Sequence, residues 1–253
     1  MHPNQPFVKL VSQGLCKGFW PWASTNQPGY PIMNDESNAT SREIRKAEFP
    51  CDQLTTELTK NHFSPSFGRK LLPGMYCMPI FAIPKTLNLL DLWWVTDQSF
   101  RKYLLNSIID HKKVTSYPLD NMTQFGEMLL DLEKREPNSK QVVWKSDIAE
   151  TYQILPMHLL WQIKQINAIN GHSYVDRCNA FGGCTSGGIF IAFNSLVAWI
   201  AKEIKGVKYL RNYCQLIRLC FCQWSQLLCT VWKILSVRTS HIVETVGQNQ
   251  HPS

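Results

Sequence analysis

Asn170-Gly171, set between the runs of "LWQIKQINAINGHSYVDRCNAF", constrains the fold of this chain more than any other pair of residues. Asn and Gly both accept the left-handed backbone that a two-residue hairpin turn requires, so the stretches on either side read as two extended runs paired antiparallel. A glycine-rich loop, "FGGCTSGG", comes next and opens into "IFIAFNSLVAWIAKEIKG". There Ile189, Phe193, Leu196, Val197, Ile200 and Ile204 mark one face of a helix, and Gly206 marks its C-terminal stop.

The chain before the hairpin supplies the rest of a sheet. "MYCMPIFAIPK" and "LDLWWVTDQS" are β-prone runs ending near Lys85 and Asp97, which predicts a pair of strands. In "YPLDNMTQFGEMLLDLEKREPN", Asp120 precedes Met122, Phe125, Met128, Leu129 and Leu132 at helical spacing, and Pro137 lies just beyond as a stop. Val142, Val143 and Trp144 form a short strand that ends near Asp147. Strands, helix, strand, hairpin and helix in that order predict an α+β fold with a largely antiparallel sheet packed with helices. Residues 1 to about 40, rich in Asn, Pro, Ser and Gly, read as an irregular arm, followed by a short helix from Asp52 through "QLTTELTKN".

Composition excludes several classes. With 253 residues, 44% hydrophobic and 18% charged, the chain is long and apolar enough for a real core. Its nine cysteines lack the spacing of a disulfide framework, and Cys214, Cys220, Cys222 and Cys229 contain no Cys-x-x-Cys pair, so neither staples nor a structural zinc site is expected. The start, "MHPNQPFVKLVSQGLCKGFWPW", has no charged head and apolar run, so no signal peptide and an intracellular location are expected. No membrane segment is expected either, because Gln223, Gln226 and Lys233 interrupt "LCFCQWSQLLCTVWKILS". A net charge of +7 favours an anionic partner only weakly, since a moderate surplus of cations is usually a solvated surface.

Five segments carry a more specific signal: "MPIFAIPK", "VTDQSFRKYLLNSII", "YPLDNMTQFGEMLL", "WKSDIAETYQILPMH" and "YVDRCNAFGGCTSGGIFIAFNSLVAWIAK". In this order they resemble the fingers and palm of a retroelement (retrotransposon) reverse transcriptase, over residues 62 to 213. The resemblance implies an RNA-directed DNA polymerase by ancestry, acting on an RNA/DNA primer-template with deoxynucleoside triphosphates and Mg2+. It puts Asp147 at the position of a catalytic, metal-binding aspartate. Tyr152 falls where an aromatic ring stands against the sugar 2′ position and selects deoxynucleotides. Ile148 and Ala149 fall where the backbone lies under the triphosphate, Lys85 at a phosphate-binding position, and Phe181 and Gly182 in the loop against template and nucleotide. Taken singly, Asp147 reads better as a helix N-cap, Tyr152 as a core aromatic and Lys85 as a surface charge; the ordered set reverses that preference and favours the family.

Departures from the family pattern bear on activity. Trp93 stands where the family has an Arg, and Gly187 where it commonly has a Pro. The family continues into a strand and tight turn reading Tyr-x-Asp-Asp, whereas Tyr213 is followed by Cys214, Gln215 and Leu216. No Asp follows Asp176, and residues 214 to 253 hold one acid, Glu244. Two divalent ions about 4 Å apart repel by roughly 4 kcal/mol even at the dielectric of water, so bridging carboxylates are needed to hold them. The expectation is a chain truncated before the second metal-binding motif, without thumb or ribonuclease H: an arm over 1–61, fingers and partial palm over 62–213, and an unrelated tail over 214–253. It is a catalytically dead remnant on this reading, or alternatively a non-catalytic nucleic-acid-binding module. A serine or cysteine hydrolase is disfavoured, because Cys184 breaks the Gly-x-Ser-x-Gly elbow around Ser186.

Overall fold

In the computed structural model, the residues described are 2–25, 28–40, 49–84, 92–114, 122–138, 143–147, 150–204, 209–213 and 216–220. The chain divides into two units: Met1–Pro118 with Glu150–Asn194, and Leu119–Ala149 with Ser195–Ser253. The fold is α+β, as the order of elements implies.

The first unit is built on a four-stranded sheet. β1 (Asn34–Asp35), β2 (Tyr76–Cys77), β6 (Ile166–Ile169) and β7 (His172–Val175) lie side by side in that order. β1 and β2 pair in parallel, as do β2 and β6, so this sheet is mixed rather than largely antiparallel. The strands that change the sign are two residues long, too short to show a period of two in sequence. β6 and β7 form the expected hairpin, with Ile166 opposite Val175 and Ile169 opposite His172. Its turn residues, Asn170 and Gly171, have φ of 51° and 73°, the left-handed pair of a type I′ turn.

Both faces of this sheet are covered. Ile169 and Tyr174 pack with Phe63 and Ile80 on one side, with Leu54 and Trp94 against them. Ile166 packs with Met75 and Cys77 on the other, flanked by Phe67, Ala168 and Val175. Burial on both faces takes in Asn167 and Ser173 as well as Ile166 and Ile169, so the hairpin does not alternate strictly between apolar and polar residues. β3 (Ile80–Pro84) and β4 (Leu92–Thr96) form the second expected pair, antiparallel, with Ile80 opposite Thr96 and Pro84 opposite Leu92.

Three parts of this unit depart from the sequence reading. The arm expected to be irregular contains α1 (Gln5–Lys17), capped by Asn4, whose side chain accepts the Phe7 N–H at 3.0 Å. Val11 and Phe19 are buried, and a Cβ on Gly14 would come within 2.4 Å of the Phe19 ring, so the helix is held by a contact that sequence periodicity does not reveal. Phe19 is further tied to residues 156–158 by Phe19 N–H to Pro156 O and His158 N–H to Phe19 O, at 2.8 and 2.9 Å. α4 itself (Leu159–Gln162) is a helical turn where an extended run is expected, with the His158 ring nitrogen accepting the Leu160 N–H. α2 (Phe49–Thr59) begins three residues before the expected Asp52 cap.

The second unit contains α3 (Met122–Arg135), with Phe125, Met128 and Leu132 buried; Met122, on the expected apolar face, is 63% exposed. Its sheet has the order β5 (Val143–Asp147), β9 (Leu216–Cys220), β8 (Tyr209–Tyr213), all antiparallel. The boundary read after Tyr213 therefore falls inside a hairpin, and five residues of the supposed tail are a strand of this sheet.

The long apolar helix, α5 (Ser186–Trp199), passes into a π-helical turn over Ile200–Ile204. Ile189, Phe193, Leu196 and Val197 are buried as expected, but Ile204 is 60% exposed. A π turn shifts the angular phase of the residues beyond it, which takes Ile204 off the apolar face. Among the described residues, Ser186–Ile204 is long and apolar enough to cross a membrane. Its buried Ile189, Phe190 and Phe193 equally fit a core helix.

Candidate functional site

The first unit brings Tyr152, Phe181 and Gly182 of the expected site together. Tyr152 lies in the turn leading to Leu155, which it caps by accepting the Leu155 N–H at 3.0 Å. Its ring lies 4.7 Å from that of Phe181, tilted by 59°, and 6.0 Å from that of Phe190, nearly edge-on at 77°. Three aromatic rings thus form a wall that carries one phenol oxygen. A Cβ on Gly187 would be 3.8 Å from that oxygen, an ordinary contact, so the position tolerates a side chain. Gly187 lies in the first turn of α5.

The glycine-rich loop is fixed from below. Gly182 has φ of +105°, and a Cβ there would fall 2.0 Å from the Thr96 carbonyl oxygen. Only glycine permits both that backbone and that approach to the end of β4. Ser186 donates its hydroxyl to Ala180 O at 2.7 Å and is buried, and Asn179 Nδ2 donates to Ser186 O at 3.0 Å. A buried hydroxyl already committed to a carbonyl is a helix-start bond rather than a nucleophile. The Cys184 thiol is exposed, and partial burial raises its pKa, the opposite of an activated thiolate.

Upstream of the wall, Glu150 holds a left-handed backbone, φ 56°, and its carboxylate is ion-paired with Lys60. Beside this turn lies a buried acid–base group. Glu57 and His62 are bonded at 2.7 Å, and Gln153 Nε2 donates to the same carboxylate at 3.4 Å. Asp176, almost fully buried, accepts the Cys178 N–H at 3.0 Å through Oδ1. Burial pushes its carboxyl up to about 7; the Cys178 N–H lowers it, nearby Glu57 raises it further and His62 lowers it.

Polar residues that the sequence reading missed hold these parts in place. Gln165 accepts Trp161 Nε1 at 2.8 Å and donates Nε2 to Cys178 O at 2.9 Å. Thr96 Oγ1 donates to Asn167 Oδ1 at 3.2 Å. Asn106 bonds to Ser99, Gly182 and Cys184. The available signal was a lone Asn or Gln within an apolar run, as in "YLLNSII", since a buried amide must find partners.

In the second unit, Asp147 is the last residue of β5, and its register partner is Leu216, the first of β9. Leu216 also pairs with Tyr213 across the two-residue connection 214–215. Lys85, Ile148 and Ala149 lie outside the described residues, as does the connection itself. Among the described residues no group of three or more His, Cys, Asp or Glu is gathered to hold a metal ion.

No protein-family model and no curated protein matches the sequence. Among solved structures the chain is similar to the prototype foamy virus protease-reverse transcriptase, with 13% sequence identity and a TM-score of 0.49, over 85% of this chain. The match spans 24% of the length of that protein.

Proposed function

We propose that this chain is a reverse-transcriptase-like domain of retrotransposon descent that retains a deoxynucleotide-facing wall and affinity for a primer-template but does not polymerise. The observation that carries the reading is the β5–β9 register. Asp147 ends its strand opposite Leu216, which pairs with Tyr213 across the 214–215 connection of the β8–β9 hairpin. The family resemblance puts two further aspartates at that connection, and this sequence has Cys214, Gln215 and Leu216.

Leucine supplies no ligand atom and glutamine only a neutral carbonyl. One carboxylate cannot offset the mutual repulsion of two divalent ions. The residues present therefore do not fit a two-Mg2+ site, and no catalytic step is derived through one. What remains is binding: Tyr152, backed by Phe181 and Phe190, is a rigid steric filter against a ribose 2′ oxygen.

A second reading, a module that holds a nucleic-acid duplex through its phosphates, is favoured by charge. Residues 63 to 213 carry 17 Lys and Arg against 12 Asp and Glu. Primer extension with Mg2+ separates these readings from an active polymerase. The expected result is no extension but salt-dependent binding of the primer-template. Extension that disappears on Asp147→Ala would sink the proposal of inactivity. The paired substitution Gln215→Asp with Leu216→Asp is expected to create Mg2+-dependent binding that the unaltered chain lacks.

A further inference from the structure

From its bonding we infer that Asn106 is the positioning residue of the aromatic wall, a buried amide that sets Phe181 against Tyr152 and so governs discrimination between deoxyribose and ribose. The inference rests on the nucleotide-binding reading of that wall. Asn106 lies in the 3-10 turn Leu105–Ile108 and is buried. Its Nδ2 donates to Gly182 O and to Ser99 Oγ, both at 2.8 Å, and its Oδ1 accepts the Cys184 N–H at 2.8 Å. Its main chain is engaged as well: the N–H donates to Gln98 O at 3.0 Å, and the carbonyl lies 3.1 Å from His111 Nε2.

One side chain therefore grips the glycine-rich loop on both sides of Gly183, at Gly182, one residue after Phe181, and at Cys184. Gly182 leans on the Thr96 carbonyl, which limits how close the loop approaches but not how it rotates. A carboxamide that donates to one peptide and accepts from another two residues on sets that rotation, and with it the tilt of the Phe181 ring on Tyr152. A steric filter works only if the ring that selects is held still, because a ring free to retreat admits the extra oxygen.

The test uses the full chain bound to a primer-template, with dATP and ATP as the probes, titrated separately. The unaltered protein is expected to prefer dATP. Asn106→Ala removes both grips and is expected to cut the preference by about tenfold, the scale of one hydrogen-bonded restraint. Asn106→Asp keeps the acceptor for the Cys184 N–H and loses the donor to Gly182, so it should fall between, and it serves if the alanine variant does not fold. Ser99→Ala removes only the outer partner and is expected to leave the preference unchanged. Equal weakening of dATP and ATP in both Asn106 variants would mark a purely structural role and overturn the inference alone. If the unaltered chain binds neither nucleotide, the reading of the wall itself fails, and the inference with it.

Discussion

Asp176→Asn is expected to stabilise this protein above neutral pH and to remove most of a pH dependence that the unaltered chain shows between about 4 and 7. The carboxyl is buried, and its pKa is raised from 3.8 to about 7. A raised carboxyl pKa means that the folded state holds the proton more tightly than the unfolded state does. Its contribution is fully present below the unfolded value, is lost as pH rises through the folded value, and is flat above it. At about 1.4 kcal/mol per unit, a rise of roughly 3 units corresponds to on the order of 4 kcal/mol, an upper figure because relaxation and water entry soften buried charges. Groups facing Asp176 are Glu57, which raises its pKa, and His62, which lowers it. Asparagine keeps an oxygen to accept the Cys178 N–H and carries no charge to bury. Urea unfolding at pH 5 and pH 8 decides the matter. The variant should be more stable by about 1–2 kcal/mol at pH 5, where part of the loss has already occurred, and by roughly 2–4 kcal/mol at pH 8. A variant less stable at pH 8, with the slope between the two pH values unchanged, would refute the reasoning and mean that an ionised Asp176 is held favourably by His62.

Three other substitutions probe the glycines beside the wall and the N-terminal helix. Gly182→Ala forces a side chain into a left-handed backbone and onto the Thr96 carbonyl, and should lower stability by about 2–4 kcal/mol in urea unfolding. Gly187→Ala adds a methyl at ordinary contact distance in the first turn of α5 and should raise stability by roughly 0.5–1 kcal/mol, read as a higher urea midpoint at constant slope. Val11→Ala removes a fully buried side chain from α1 and should cost about 1–3 kcal/mol, with faster proteolysis of the first 17 residues than in the unaltered chain.

The parts of the fold legible in sequence are those whose cause is local. Asn170-Gly171 announced its hairpin because the turn demands left-handed residues, and both have positive φ. Phe125, Met128 and Leu132 announced α3 because an amphipathic face repeats along the chain. α1 was hidden because its stability comes from Gly14 and Phe19, which meet only after the chain turns back, while Asn and Pro nearby resemble loop composition. The mixed sheet was hidden because β1 and β2 are two-residue strands joined through parallel pairs. In the site, motif order singled out Tyr152 and Phe181, and their rings meet. The apolar run around Asn106 signals only a buried amide; its partners, about 75 residues along the chain, are encoded by no local pattern.

The stretch after Tyr213 shows how differently fold and chemistry depend on residue identity. Its composition breaks sharply from the preceding chain, and that break reads as the end of the domain. Yet Leu216–Cys220 pairs with β5 over five residues and with β8 over five more. Backbone pairing asks only for extended, β-prone residues, and "LIRLC" supplies them whatever its origin. A metal site would be less tolerant: on the proposed reading, Gln215 and Leu216 where the family has two aspartates leave the strands able to pair but offer no charge to match the ions. A change of reading frame or splicing just before residue 214 would have these consequences together: a foreign composition, a preserved hairpin register and a lost donor set. Sequencing the gene and its transcript across codons 205 to 225 tests it. A second frame that reads Tyr-x-Asp-Asp after Asn212 is the expected result, and its absence from every frame would mean that the tail belongs to this protein by descent.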